Sequence, residues 1–371
     1  RHRGPSHPHQ RGMDDRRPYT EFAEALTDSG GATICRRAGD GGGPKMAPFQ
    51  PVRRIMSSLR VAFALPALAL SIQAHASCGA AFCVLNTDWD VVAAQTAPGH
   101  ASVDLRYEFV PQKALYSGNS RISRSAVEDE EAIETRTLNR NFSAALDYAL
   151  TANWGVMVTL PLVSRAHSHI AEPDTDPHRE SWNFSRFGDA RVLGRYQAPL
   201  GESNVGGIQF GVKLPTGSHE VGNSAGDRAE RSLQPGTGST DAVLGVYYAY
   251  RPKFSGLSWF AQAQVQAAVA TRDHYRPGNQ FSASLGFSAP LSERVSFLLQ
   301  ANGLVKRRDS GAQAEPEVSG GRYLFLSPGI GVTVTPSTRL YGYLQAPLYR
   351  HVNGVQLTAD WSAVLGLTQR F

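Results

Sequence analysis

The residues best suited to chemistry in this chain are three closely spaced histidines, His167, His169 and His178. In a strand, a His-x-His pair directs both imidazoles to the same side, so the pair can chelate a metal ion. Carboxylates lie in the same stretch, and Asp174 or Asp176 can complete the ligand set. We therefore predict a Zn or Cu site on a loop that faces the exterior. The alternative interpretation is a solvated polar loop.

The other reactive side chains do not form a catalytic pattern that we recognise. Serine, histidine and aspartate are all present, but they are not arranged in a constellation with assignable roles. We predict no catalytic residue, no bound cofactor apart from the metal ion above, and no enzymatic activity.

Two of the three cysteines, Cys78 and Cys83, are close enough in sequence to close a small loop; Cys35 lies far upstream. If the chain is exported, its thiols meet an oxidising compartment, which favours a Cys78–Cys83 disulfide. A thiolate metal or haem site is the alternative, although the spacing is not CxxC and no histidine adjoins it.

The element that organises the chain is its last stretch, residues 355–371, in which apolar and polar residues alternate. A period of two indicates a strand with one apolar face, and the length matches the ~9–11 residues of a tilted membrane-spanning strand. This register predicts that Leu365 faces lipid and Ser362 faces the lumen. The stretch resembles the closing strand of bacterial outer-membrane barrels, which implies that Phe371 is a signal to the barrel assembly machinery.

Alternating segments recur from His100 onward, about twelve in all. Long connections (near 111–136, 165–186, 215–240, 271–280 and 306–321) alternate with short ones, as extracellular loops alternate with periplasmic turns in outer-membrane barrels. The connection at 350–354 is short although it falls on the long side. We predict an all-β fold: a transmembrane antiparallel up-and-down β-barrel of about 12 strands over residues 101–371.

The first hundred residues are predicted to lie outside the barrel. Residues 1–55 show no sustained period, which indicates a non-native or disordered extension. Residues 56–76 read as a Sec signal peptide, with an apolar core and a small-x-small cleavage site. The start is then Met46 or Met56, and 77–100 form a periplasmic segment. We predict an outer-membrane location in a Gram-negative bacterium.

Composition excludes two other classes of protein. No apolar run is long enough for a transmembrane helix. The net charge of +5 comes largely from the first stretch, and the basic residues form no patch interleaved with aromatics, so no nucleic-acid partner is predicted.

The inward-facing positions of the predicted strands mix both signs of charge with aromatic residues, which favours internal ion pairs and suits a small apolar solute. The predicted lumen-lining residues are Asp104, Arg106, Glu108, Asp147, Asp189, Arg191, Arg195, Lys213, Asp360, Tyr323, Phe325, Tyr341 and Tyr343.

Four short motifs, LPLVSR, FGDARVLGRYQ, VKLPTG and QPGTGSTDAVLG, resemble the outer-membrane family known as the MetA-pathway of phenol degradation family. The resemblance spans about residues 141–371. It implies a transporter-like barrel associated with aromatic compounds. Read physically, the prolines and glycines of these motifs end strands at the rim and permit sharp turns.

We therefore predict a channel or transporter for small, aromatic or hydrophobic solutes, with outer-membrane lipid as its surroundings. The alternatives are a metal-binding, sensor or scaffold barrel that uses the histidine loop, and an outer-membrane hydrolase.

Overall fold

The computed structural model describes residues 98–127, 132–173, 175–252 and 256–371. The predicted signal peptide and the Cys78–Cys83 pair lie outside this part. One antiparallel sheet holds fourteen strands, of which twelve form the barrel wall, and each of these twelve pairs with its neighbours in sequence. The other two, Ser120–Arg121 and His178–Phe187, each pair with one strand of the wall. We number the twelve strands of the wall β1 Ala101–Gly118, β2 Ala132–Ala149, β3 Trp154–Ala171, β4 Arg191–Pro199, β5 Asn204–Lys213, β6 Ser239–Tyr250, β7 Ser258–Thr271, β8 Gln280–Pro290, β9 Val295–Lys306, β10 Gly321–Thr335, β11 Thr338–Ala359 and β12 Ser362–Arg370.

The sheet closes on itself because β1 pairs with β12. Their register runs from Ser102 opposite Arg370 to Phe109 opposite Ala363. Closure leaves these strands no free edge, which is the condition for a sheet to span a bilayer. The prediction of a twelve-stranded antiparallel barrel is confirmed.

Alternation along each strand separates the two faces of the wall. In β1, Asp104 and Glu108 are buried, whereas Leu105 and Tyr107 are each 37% exposed. The same period of two runs through the other strands and gives the barrel a polar inner face and an apolar outer belt. No helix among the described residues is both long enough and apolar enough to span a membrane.

The two ends of the barrel differ. At one end, which we call the turn end, tight connections are fixed by hydroxyl side chains; Thr151 Oγ1, for example, accepts the amide hydrogens of Asn153 and Trp154. At the other end, which we call the loop end, the chain makes long connections. The N-terminus of β1 and Phe371 both lie at the turn end, where the Phe371 amide donates to the Ala101 carbonyl.

The structure corrects two predicted loops. Most of 111–136 and 165–186 is strand, because β1, β2 and β3 extend past the belt and His178–Phe187 pairs back along β3. These extensions carry polar residues on their outer faces, so the alternation that marks the belt weakens there. A period-two search therefore ended the strands too early.

The connection predicted at 350–354 is a tight reversal inside β11. Residues up to Val352 pair with β10, whereas residues after Gly354 pair with β1 in the opposite direction. Gly354 makes this turn with φ +60°, a conformation that suits glycine. The predicted terminal strand, 355–371, is thus the descending arm of β11 continued by β12.

Candidate functional site

Several charged residues inside the barrel form ion pairs or hydrogen bonds. Arg195 Nη2 donates to Asp147 Oδ1 over 2.8 Å, and both side chains are almost fully buried. Arg106 lies 2.9 Å from Glu108, and Asp104 accepts hydrogen bonds from the hydroxyls of two other strands. These pairs compensate their own charges, which makes the interior a less favourable path for free ions.

A second ionic cluster lies near the loop end, around the buried Lys213. Its ammonium group is 3.0 Å from Asp189 and 3.1 Å from Asp241, and it also donates to Thr237 and Ser239. Asp189 in turn accepts the backbone amide hydrogens of Gly217 and Thr237. The cluster therefore ties both ends of the 214–238 loop to the barrel wall.

Glycine is required where those loop ends meet. A Cβ added to Gly236 would lie 2.5 Å from backbone atoms of Gly217, and one on Gly217 would lie 2.7 Å from Gly188. No side chain fits at these distances. The motifs VKLPTG and QPGTGSTDAVLG, and the first glycine of FGDARVLGRYQ, Gly188, thus form one junction that folds a loop inward.

The 214–238 loop lies across the loop end of the barrel. Its Leu233 is fully buried beside Trp182 and Phe184, in a cluster that also includes Leu115 and Leu357 from the opposite side of the opening. The loop is held further by Arg165, which donates to the Ser232 carbonyl, and by Trp182, which donates to that of Asp227. We call residues 214–238 the plug loop.

Two neighbouring loops lock onto the plug loop. The Arg231 guanidinium lies 4.7 Å from the ring centroid of Tyr275, and the Tyr275 hydroxyl donates to Asp309 over 2.8 Å. Burial raises the pKa of Tyr275 well above its ordinary value, so it remains a donor at any physiological pH. Burial also raises the pKa of Glu230 in the plug loop to about 8.

The sequence analysis did not note one motif. Residues 222–226 are GNSAG, which matches the GxSxG pattern of a nucleophile elbow. An elbow places its serine between a strand and a helix. Here Ser224 is exposed in a turn of the plug loop, where Asn223 Oδ1 accepts the amide hydrogens of Ala225 and Asp227. The local fold is a loop turn, so the motif carries no elbow geometry.

The prediction that the three histidines lie on an exterior loop is wrong. His167 and His169 lie in β3 with buried side chains that point inward, and only His178 is exposed, at the tip of the hairpin. His167 Nε2 lies 3.5 Å from His169 Nδ1, and His169 Nε2 lies 3.1 Å from Glu180. The other carboxylate oxygen of Glu180 lies 3.5 Å from His178 Nε2.

Glu180 thus contacts two of the predicted ligands, His169 and His178, and His167 contacts His169. The sequence analysis did not name Glu180. Asp176 contributes its backbone carbonyl to His178, which raises the pKa of that imidazole, and Asp174 lies outside the described residues. Among the residues described, no group of three or more His, Cys, Asp or Glu side chains is arranged to hold a metal ion. Metal binding stays a prediction.

Towards the turn end, apolar side chains fill the interior. Tyr341 and Tyr343 pack with Phe260 of β7, Leu298 of β9 and Val364 of β12. Gln300 donates to the Tyr343 hydroxyl over 3.1 Å. The plug loop and this cluster narrow the lumen at two levels.

A small, partly open pocket lies between these levels, within the wall itself. β11 and the terminal strand pair only as far as Gln345 and Ser362, so above that point the two arms of the hairpin are apart. Arg350 bridges the gap through Thr358 and Asp360. The lining is mostly apolar, with some amides and hydroxyls: Val110, Gln112, Tyr323, Phe325, Gln345, Pro347, Arg350, Leu357, Thr358, Ala359, Trp361 and Ser362.

Residues from both faces of the wall line the pocket. Gln112 and Gln345 are each 3% exposed on the inner face, whereas Trp361 is 48% exposed on the outer face. Tyr323 and Phe325 stack at 5.9 Å and form its inner apolar wall. Sequence analysis named these two aromatics but missed Arg350 and Trp361, because nothing local marks where two arms of a hairpin separate.

The fold is that of known outer-membrane channels. The chain is similar to an outer membrane channel from Pseudomonas putida F1, with a TM-score of 0.56 and 12% identity over 76% of this chain and 98% of that one. The CymD monoaromatic hydrocarbon channel has a TM-score of 0.40, at 10% identity over 78% of this chain and 94% of its own. A FadL homologue from Pseudomonas aeruginosa has a TM-score of 0.38, at 8% identity over 76% and 92%.

No protein-family model matches the chain, and no curated protein matches it in sequence. The resemblance to the MetA-pathway of phenol degradation family therefore stays a prediction. At these identities the structural likeness shows an outer-membrane β-barrel fold, which is consistent with an outer-membrane location.

Proposed function

We propose that this barrel admits small apolar or aromatic solutes through the pocket in its wall. The observation that carries the proposal is the separation of the β11 arms, which opens an apolar pocket between the outer belt and the interior. Ligand pockets of this kind combine apolar lining with a few polar groups that fix orientation. The paired interior charges argue against a path for ions.

The proposal places the loop end outside the cell and the turn end in the periplasm, after Sec export of the chain. Outer-membrane lipid surrounds the belt, and the barrel assembly machinery engages the C-terminal strand through Phe371. A solute would leave the lipid beside Trp361, enter the pocket past Arg350 and meet the stacked pair Tyr323 and Phe325.

The test is uptake by liposomes that hold the folded barrel, with toluene, benzoate and potassium ions as three separate solutes. We expect faster uptake of toluene than in empty liposomes and little ion conductance. Flux of ions with no flux of an apolar solute would contradict the proposal, and so would no flux of any solute through a correctly folded barrel.

A matched pair of variants assigns the route. Ala359 lines the pocket, whereas Ala363 lies on the same terminal strand below it, paired with Phe109. Ala359→Trp should fill the pocket and reduce uptake, and Ala363→Trp should leave it unchanged. Equal uptake by both variants would mean that the solute does not pass through this pocket.

The second candidate function is metal handling at the hairpin of β3. It is favoured by the 3.5 Å approach of His167 Nε2 to His169 Nδ1, with Glu180 hydrogen-bonded to the far nitrogen of His169 as carboxylates are beside metal-bound imidazoles. Titration with Zn or Cu would be compared with His167→Ala/His169→Ala. Identical weak binding by both proteins would exclude the site.

A further inference from the structure

The outer face of the wall carries a group of positive charges directly above the apolar belt. Arg136 and Arg140 of β2 are both exposed, and they lie on the same face as the exposed Phe142 of the belt. Arg140 is two residues above Phe142, a distance of about 7 Å along the strand. Lys113, beyond the last regular pair of β1 and β2, is exposed beside them.

Hydroxyl groups extend this face across the next two strands. Arg140 pairs with Ser164 and Arg136 with Ser168 on β3. The same rows continue to Ser185 and Ser181 of His178–Phe187. We call Lys113, Arg136, Arg140 and these four serines the cationic face.

The inward neighbours show that this face points away from the lumen. Arg165 and His167, which alternate with the serines of β3, are buried, and so are Trp182 and Phe184 on the adjoining strand. Among the described residues of these rows, no outward-facing position between the belt and the loop tips is acidic. The charge of the face is therefore positive, and it is not compensated within its own rows.

We propose that the cationic face binds the phosphate groups of the glycolipid in the outer leaflet. The proposal rests on the proposed outer-membrane location. Guanidinium groups bind phosphate through two parallel hydrogen bonds, and hydroxyls between them suit sugar and amide groups. The position decides the source of the phosphate: a charge two residues above Phe142 lies at the depth of lipid headgroups, and the arginine stems can lie along the belt.

The competing occupant is a segment of the same chain. Residues 128–131 are Glu-Asp-Glu-Glu and lie outside the described residues, between β1 and β2 in the sequence. If these carboxylates neutralised the cations, the cationic face would add nothing to the affinity for lipid. The described strand begins at Ala132, eight residues above Arg140, whereas the lipid headgroups lie at the level of Arg140 itself.

The experiment measures binding of bisphosphorylated lipid A to the folded barrel by native mass spectrometry, with dephosphorylated lipid A and inorganic phosphate as comparison ligands. Each cation near an anionic surface contributes about 1 kcal/mol, or about fivefold in affinity. Arg136→Gln/Arg140→Gln should therefore weaken lipid A binding about 25-fold. Arg272→Gln/Arg294→Gln, which removes two exposed arginines outside the face, should leave it unchanged.

Three results would overturn the proposal. These are equal loss in both variants, equal binding of dephosphorylated lipid A, or lipid A binding that develops only after residues 128–131 are neutralised by amide substitutions. Competition by millimolar inorganic phosphate would show an isolated anion site instead of a lipid surface. A barrel that shows no heat-modifiable migration and no insertion into liposomes would contradict the outer-membrane location, on which this proposal rests.

Discussion

A lysine at Leu365 tests the register of the terminal strand in lipid. Leu365 is 62% exposed on the outer face, six residues before Phe371. At a rise of about 3.3 Å and a tilt of about 40°, six residues place it roughly 15 Å above the turn end, near the middle of an apolar band about 25 Å tall. A lysine at that depth costs about 2–4 kcal/mol.

Gln369 provides the matched control. It lies on the same strand and the same face, four residues closer to the turn end, where a lysine costs about 0–1 kcal/mol. The free energy of unfolding, measured by denaturant titration in lipid vesicles, should therefore fall about 2–3 kcal/mol further in Leu365→Lys than in Gln369→Lys.

A third variant separates lipid from lumen. Ser362 faces inward, is 4% exposed and donates to Gln345. Ser362→Lys should be milder than Leu365→Lys, because its charge meets polar groups and not acyl chains. Equal losses at Leu365 and Gln369 would refute the depth argument, and a larger loss at Ser362 than at Leu365 would refute the register.

Three further predictions concern the interior. Asp147→Asn leaves the buried Arg195 without its counter-charge and should lower the free energy of unfolding by about 3–5 kcal/mol. The double variant Asp147→Asn/Arg195→Met should recover much of that free energy. No recovery would contradict the Asp147–Arg195 pairing. Gly236→Ala should make the plug loop susceptible to protease. Gly303→Ala should not, because a Cβ at Gly303 would lie 3.8 Å from its nearest neighbouring atom. Equal digestion of the two variants would contradict the close approach of Gly217 and Gly236. The pKa of Glu230 is raised to about 8, so its stabilising contribution is complete below its ordinary value near 4.5 and is lost as pH rises through 8. The protection of plug-loop amides, expressed relative to base-catalysed intrinsic exchange at each pH, should therefore fall from pH 6 to pH 9. Glu230→Gln should remove that fall in protection, and an unchanged fall in the variant would contradict the role of Glu230.

Much of the wall could be predicted from sequence because its signals are local. The alternation that puts Leu365 outward and Ser362 inward depends only on residue spacing along one strand, and it is independent of which strand lies alongside. Twelve such segments separated by turn residues determine an even-numbered barrel, and Thr151 at a turn is recognisable in isolation. The residues of the inner face were therefore nameable before any partner was known.

The partners of those residues were decided only by tertiary structure. Asp147 meets Arg195 across an intervening strand, and Leu233 is buried beside Leu357 at a sequence separation that no local period encodes. The same holds for the histidines: their spacing placed both on one side of a strand, but only the closed barrel decided that this side is the interior. The pocket, too, exists because pairing stops at Gln345 and Ser362, and where pairing stops depends on the curvature of the whole sheet.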